Sequence, residues 1–325
     1  MVRSDWGYPS PPPSPRLGSS PIKRLTLISH SSNLGSLALA ISPSSSSLPL
    51  QSDHERNERQ RPVPVPRFRG LDASGVAMRE PSIYGSRKAS LALDIIVVGC
   101  GIGGLSAAFC LTQAGHRVTI IESYSVIGEV GAGIQLTPNS TRLLRRWGLG
   151  DHLKENAIRP EGIAYLRYST GERIGFTRTG EKLEREHGAA HYQMHRADLH
   201  RLLYDLVAPR VTIRLGSTVT GCDPDPISPS VTLESGEVMR ADLIVGADGV
   251  RSHIRRIVSG KPNPAEPTGE VVYRKTISAS LLIRDPELRE FIEHPQMTGW
   301  TGPRKLMIGF PIVRSFPFQV LTRMC

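Results

Sequence analysis

Gly99, Gly101 and Gly104 set the pattern G-x-G-x-x-G in the run Gly99-Cys100-Gly101-Ile102-Gly103-Gly104. That spacing suits the pyrophosphate of a dinucleotide. The first glycine allows a tight turn, the second lets backbone approach the phosphates, and the third lets a helix pack closely on a strand. A helix opening on such a turn offers unpaired N–H groups and a partial positive charge to phosphate oxygens. Glu122 stands 18 residues past Gly104, where a carboxylate can accept both hydroxyls of an adenosine ribose. An acid there disfavours a 2′-phosphate, so FAD or NAD is favoured over NADP. Three more groups can serve the same chemistry. Gly131 and Gly133, either side of Ala132, can take backbone angles closed to other residues. Arg196 offers a fixed fork of donors for phosphate oxygens. Asp248 precedes Gly249 just after an apolar run, in the crevice where open α/β sheets place ligands.

Positioning these groups requires a particular order of elements. Leu91–Val98 is a continuous apolar run with β-branched residues, the pattern of a strand buried on both faces. After the glycine turn, Leu105–Ala114 reads as a helix closed by Gly115. Arg117–Glu122 is a second buried strand ending in an acid, and Leu243–Val245 a third. Helices are expected at Ser140–Trp147, after the Gly131–Gly133 segment, and at Ala197–Val207, starting at Arg196. Ile163–Arg167 and Arg173–Thr177 alternate around Ser169–Glu172 and read as a hairpin. Val271–Ser278 and Lys305–Phe310 are further strand candidates.

Three segments in this order, Gly131-Ala132-Gly133-Ile134-Gln135-Leu136-Thr137-Pro138-Asn139, Met194-His195-Arg196-Ala197-Asp198-Leu199 and Gly246-Ala247-Asp248-Gly249-Val250-Arg251-Ser252, resemble the flavin-dependent aromatic hydroxylases, the salicylate-hydroxylase-like FAD monooxygenases. The resemblance runs from about Asp94 to about Pro311. It implies an α/β fold: a Rossmann-like FAD-binding domain over residues 91–311, with a mostly antiparallel substrate sheet from about 160–185 and 270–311. It also implies FAD as cofactor, NADH or NADPH as co-substrate, and hydroxylation of a small aromatic substrate with O2 through a flavin hydroperoxide. Carried over residue by residue, Glu122 would hold the adenosine ribose and Gly131, Ala132 and Gly133 would pass beside the flavin. Arg196 would contact the phosphate or ribityl region, and Asp248-Gly249 would serve both FAD and nicotinamide. Tyr273 and Arg274 match a pair that relatives carry near the substrate; Arg274 would bind a carboxylate or phenolate and Tyr273 would donate a hydrogen bond.

Plainer roles stand beside these. Arg196 can pair with Asp198 or Glu184, Asp248-Gly249 can be an ordinary turn, and neighbours such as Tyr273 and Arg274 face opposite sides of a strand. Cys100 reads as a small space-filling residue, and His191 with His195 as structural. Relatives also continue with a Gly-Asp-Ala-Ala-His-Pro type motif and a long helix, which do not follow Pro311 in this sequence. The expectation is that the C-terminal part is missing and that residues 312–325 are an aberrant tail outside the family domain. A sheet cut in this way would leave an unpaired edge. The alternatives are a truncated, non-catalytic product and an NAD-dependent dehydrogenase.

Composition narrows the class further. The net charge is +10, but residues 1–90 hold 12 Lys and Arg against 6 acids, leaving the rest near balance and giving no basic stripe for nucleic acid. The same 90 residues carry 12 Pro and 19 Ser and are expected to be disordered. Residues 6–52 lack acids, faintly like an organelle transit peptide; otherwise a cytoplasmic location is expected. No apolar run is long enough to span a bilayer, so no integral membrane association is expected. The four cysteines have neither disulfide-scaffold nor metal spacing, so no metal is expected.

Overall fold

The computed structural model describes residues 87–128, 132–261, 268–312 and the backbone of 318–324. The Ser/Pro-rich segment, up to residue 86, and Gly131 lie outside the described residues. Strand β1 (Asp94–Val98) leads through the glycine turn into helix α1 (Ile102–Ala114) and strand β2 (Arg117–Ile121). Strand β3 (Gly133–Leu136) precedes α2 (Pro138–Leu144), a kinked turn (Arg145–Leu149) with Gly148 at φ 89°, and α3 (Gly150–Asn156). Next come β4 (Gly162–Arg167), β5 (Arg173–Arg178), α4 (Glu181–His187), β6 (Tyr192–His195) and α5 (Arg196–Val207). Five strands follow: β7 (Thr212–Arg214), β8 (Val219–Asp223), β9 (Ser230–Leu233), β10 (Val238–Arg240) and β11 (Leu243–Gly246). The remainder is α6 (His253–Ser259), β12 (Val271–Ile277), α7 (Ala279–Ile283), α8 (Pro286–Glu293), β13 (Met297–Gly302), β14 (Lys305–Pro311) and β15 (Phe318–Met324).

The first sheet is parallel, in the order β11-β1-β2-β7. Period-two alternation turns Ile95 and Val97 to one face and Ile96 and Val98 to the other, and both faces are covered. On the first face α1 and α5 supply Leu105, Phe109, Leu199, Leu202, Leu203 and Leu206. On the second, Val231 and Leu233 of the antiparallel β10-β9-β8 sheet and Ile254 of α6 close the core. Helix α1 begins at Ile102, three residues ahead of the expectation, because the glycine turn itself forms the first helical turn. It closes where expected, at Gly115 with φ 100°.

The second large sheet runs β12-β15-β14-β13-β4-β5, parallel between β13 and β4 and antiparallel elsewhere. The expected hairpin and both late strands belong to it. Within residues 312–325, expected to be an aberrant tail outside the family domain, the backbone of Phe318–Met324 pairs between β12 and β14 with unbroken register on both sides. The run Val320-Leu321-Thr322 favours an extended chain whatever its family likeness. A two-stranded ribbon of β3 and β6 joins the two halves, since the Gln135 side-chain Nε2 donates to Met297 Sδ on β13 at 2.9 Å.

Candidate functional site

The glycine turn sits at the C-terminal ends of β1 and β11, with Gly99 N–H bonded to the Ile121 carbonyl at 2.8 Å. Gly99 has φ 106°, a conformation that only glycine adopts without strain, and a β-carbon there would overlap the Ala247 carbonyl oxygen. A β-carbon on Gly104 would overlap the Gly99 carbonyl. Gly101 is different: nothing lies within 4 Å of the place its β-carbon would take. Two glycines therefore close the turn, and the middle one opens onto free space at the N-terminus of α1, where the helix's first N–H groups have no intrahelical partner. That combination fits a pyrophosphate.

Glu122 lies at the end of β2 beside this turn. One carboxylate oxygen accepts from the Cys100 N–H at 2.8 Å, the other from Tyr124 N–H and Ser123 Oγ, each at 3.0 Å. The Cys100 peptide is held from both ends, because its carbonyl is 2.7 Å from His200 Nε2. Burial, with the Glu122 charge, pushes the Cys100 thiol up to about 11, so it stays a neutral packing group as expected.

The ribbon brings the next two motifs together. Gly133 stands opposite His195, and the Arg196 N–H donates to the Ala132 carbonyl at 2.7 Å. Arg196 and His200, four residues apart on α5, share a helix face directed at the glycine turn. Burial lowers the His200 pKa, with its bond to Cys100 and the Arg196 charge as weaker influences. Glu184, one alternative partner for Arg196, pairs with Arg159 at 2.7 Å. Burial raises the Asp198 pKa, against the lowering effect of His195.

Asp248 is close to the same turn through Ala247, yet its carboxylate is engaged within its own loop. It accepts from Ser252 Oγ at 2.5 Å, His253 N–H at 2.6 Å and Ile254 N–H at 3.1 Å, so it caps α6. Burial would raise its pKa, but the Ser252 hydroxyl and the helix N–H groups outweigh that and lower it. Gly249 has φ 75°, which makes it the turn's hinge.

Register separates the expected substrate pair. Arg274 stands in the row Leu321, Ile308, Gly299, Tyr165, and Tyr273 in the row Thr322, Met307, Trp300, Leu166. Met297, two residues before Gly299, meets Gln135 of the ribbon, whereas Trp300 packs on Phe291 of α8 at 5.6 Å. Arg274 thus shares the face turned to the ribbon. Tyr273 shares the face under α8 and is 63% exposed. Among the described residues, neither side chain bonds to the dinucleotide motifs. A 480 Å³ cleft around Arg159, Glu181, Glu184, Arg185 and Gly188 lies elsewhere and is bridged by two ion pairs.

Sequence reasoning missed His200 and Ser252. The first was within reach, since a histidine four residues after Arg196 must share its helix face. Ser252 needed the path of the loop.

Comparison with known proteins fits this geometry. The family model described as "FAD binding domain" matches residues 92–309. The chain is 36% identical over 224 residues to the FAD-dependent monooxygenase OpS4 of Beauveria bassiana, covering 68% of this chain and 52% of that protein. It is 35% identical over 221 residues to 3-amino-4-hydroxybenzoate 2-monooxygenase PtnB3 of Streptomyces platensis, covering 68% and 53%. The chain spans about half the length of the curated relatives it matches. Among solved structures, Klebsiella pneumoniae HpxO complexed with FAD and uric acid superposes with a TM-score of 0.61 at 26% identity, over 71% of this chain and 56% of that one.

Proposed function

The chain belongs to the FAD binding domain family, and from that premise we propose that it works in the NAD(P)H- and O2-dependent hydroxylation of a small aromatic compound. The observation that carries this reading is the meeting of three motifs at one crevice: the glycine turn with Glu122, the Ala132–Gly133 and Arg196 ribbon, and the Ala247–Gly249 loop against Gly99. Relatives named for monooxygenase activity on an aminohydroxybenzoate support an aromatic substrate.

The α1 N–H groups beside Gly101 would cradle the pyrophosphate and Glu122 would accept from the adenosine ribose. Arg196 would neutralise phosphate charge with its forked donors. The Ala132–Gly133 backbone would lie along the flavin, and Gly249 would let the loop approach it. Asp248 acts on this loop as a positioning residue, through Ser252 and the α6 N–H groups. Arg274, on the ribbon-facing side of the sheet, is the member of its pair assigned to a substrate anion, with Tyr273 outside the pocket. Bound flavin supplies hydride acceptance from the nicotinamide and oxygen activation. The balance is aromatic C–H, O2, NAD(P)H and a proton giving C–OH, water and NAD(P)+. Among the described residues Cys100 and Cys222 form no disulfide, which suits the proposed cytoplasmic, reducing setting.

The test is a titration of the purified chain with FAD, followed by NADPH or NADH oxidation and O2 uptake with added phenols and hydroxybenzoates. Flavin uptake and aromatic-stimulated oxidation are expected. A chain that binds NAD tightly and takes up no flavin would instead be a dehydrogenase.

A further inference from the structure

We infer that His200 is a positioning residue for the dinucleotide: through the Cys100 carbonyl it holds the Cys100–Gly101 peptide with its N–H, and not its oxygen, toward the pyrophosphate. The inference rests on the glycine turn as a pyrophosphate site and deepens that reading.

Two successive peptides of the turn are tied down from different elements. The first, Gly99–Cys100, is held from the end of β2, where Glu122 accepts the Cys100 N–H at 2.8 Å. The second, Cys100–Gly101, is held from α5, with its carbonyl 2.7 Å from His200 Nε2. A carbonyl only accepts, so Nε2 carries the proton. Burial lowers the His200 pKa, which keeps the ring neutral in that tautomer. Among the described residues no backbone N–H donates to this carbonyl, so the bond to His200 is what fixes its direction.

A trans peptide is planar, and its C=O and N–H point opposite ways. His200 is 5% exposed on α5, whose Leu199, Leu202, Leu203 and Leu206 are packed in the core. The Cys100 oxygen therefore points inward to α5, and the Gly101 N–H points away from it. Among the described residues no backbone carbonyl accepts from that N–H, and the space beside Gly101 is open.

Glycine makes this arrangement easy to lose. Turning a peptide over changes ψ of the residue before it and φ of the residue after it by roughly 180°. Gly101 has φ −76°, so the reversed peptide would carry it into the positive region that glycine enters freely. The reversed state would set the negative end of a carbonyl where phosphate oxygens must sit, in place of a donor. The His200 bond opposes that reversal. No contact between His200 and the ligand is required.

Two substitutions separate this role from packing. Glutamine carries its amide nitrogen to about the reach of Nε2, whereas asparagine, one methylene shorter, stops near that of Nδ1. The full chain, His200→Gln and His200→Asn are titrated calorimetrically with FAD, ADP and adenosine, well below their melting temperatures. His200→Asn is expected to lose about tenfold or more for FAD and ADP and to bind adenosine like the parent. His200→Gln is expected to stay within about threefold of the parent for each ligand. Equal losses in the two variants, or an adenosine loss as large as the ADP loss, overturns the inference. A second measurement needs no variant. In heteronuclear spectra of the glycine-labelled parent, saturating ADP should move the Gly101 amide proton downfield, and an unmoved Gly101 amide overturns the inference. ADP is the half common to FAD and NAD. A parent that binds ADP but not FAD therefore counts against the monooxygenase reading alone, and one that binds neither overturns both.

Discussion

At the scale of single residues, the glycine turn separates two kinds of glycine that look alike in the sequence. Gly104 is fixed by backbone contact with Gly99, whereas Gly101 faces open space with ordinary backbone angles. Gly101→Ala should therefore leave the melting temperature near that of the parent while weakening FAD binding by about tenfold or more, at least ~1.4 kcal/mol. Gly104→Ala should lower both stability and flavin binding. Parallel thermal melts and FAD titrations check the pair, and loss of stability in Gly101→Ala would mean the space is not a ligand's. The three glycines, Glu122 and Arg196 were legible because fixed spacing follows a strand and opens a helix. Asp248 was legible as a motif but not as a helix cap, since its partners Ser252, His253 and Ile254 are reached only by a loop that doubles back.

Among the elements, the parallel sheet could be read from continuous apolar runs buried on both faces. The β3–β6 ribbon could not, because four-residue strands carry too little pattern to distinguish from loop. Nor could the faces of Tyr273 and Arg274 be assigned without the register of β12 on β15. The β4–β5 hairpin shows how tightly one register is held. A β-carbon on Gly162 would overlap the Phe176 ring and lie against the Thr177 carbonyl. Gly162→Ala should cost about 1–3 kcal/mol, several degrees of Tm, without changing the intrinsic affinity for FAD. Denaturant unfolding and a flavin titration separate those effects. A melting point equal to the parent's would show that the hairpin shifts to absorb the methyl group.

For the molecule as a whole, two buried histidines tie stability to pH. Burial lowers the pKa of both His191 and His200 from the ordinary value of 6.5. The unfolded chain then binds protons more readily than the folded one, so stability is full above pH 6.5 and falls as pH drops from there toward the lowered folded values. His200→Gln, which keeps a donor for the Cys100 carbonyl, should flatten part of this acid limb. Thermal melts between pH 7.5 and 5 check it, and an unchanged limb would assign the loss to other groups. FAD at 100 times its dissociation constant should add about 2.7 kcal/mol, raising Tm by about 5–10 °C.

The place of β15 has a consequence for synthesis. Strand β12 pairs with β15 and not with β14, so its residues 271–277 must wait until residues 318–324 have been made. While β13 and β14 can close locally as soon as they emerge from the ribosome, β12 spends that interval with its hydrogen-bonding groups open. The large sheet is thus completed in an order different from the order of translation, and β12 is the segment that a chaperone would have to shield in the meantime.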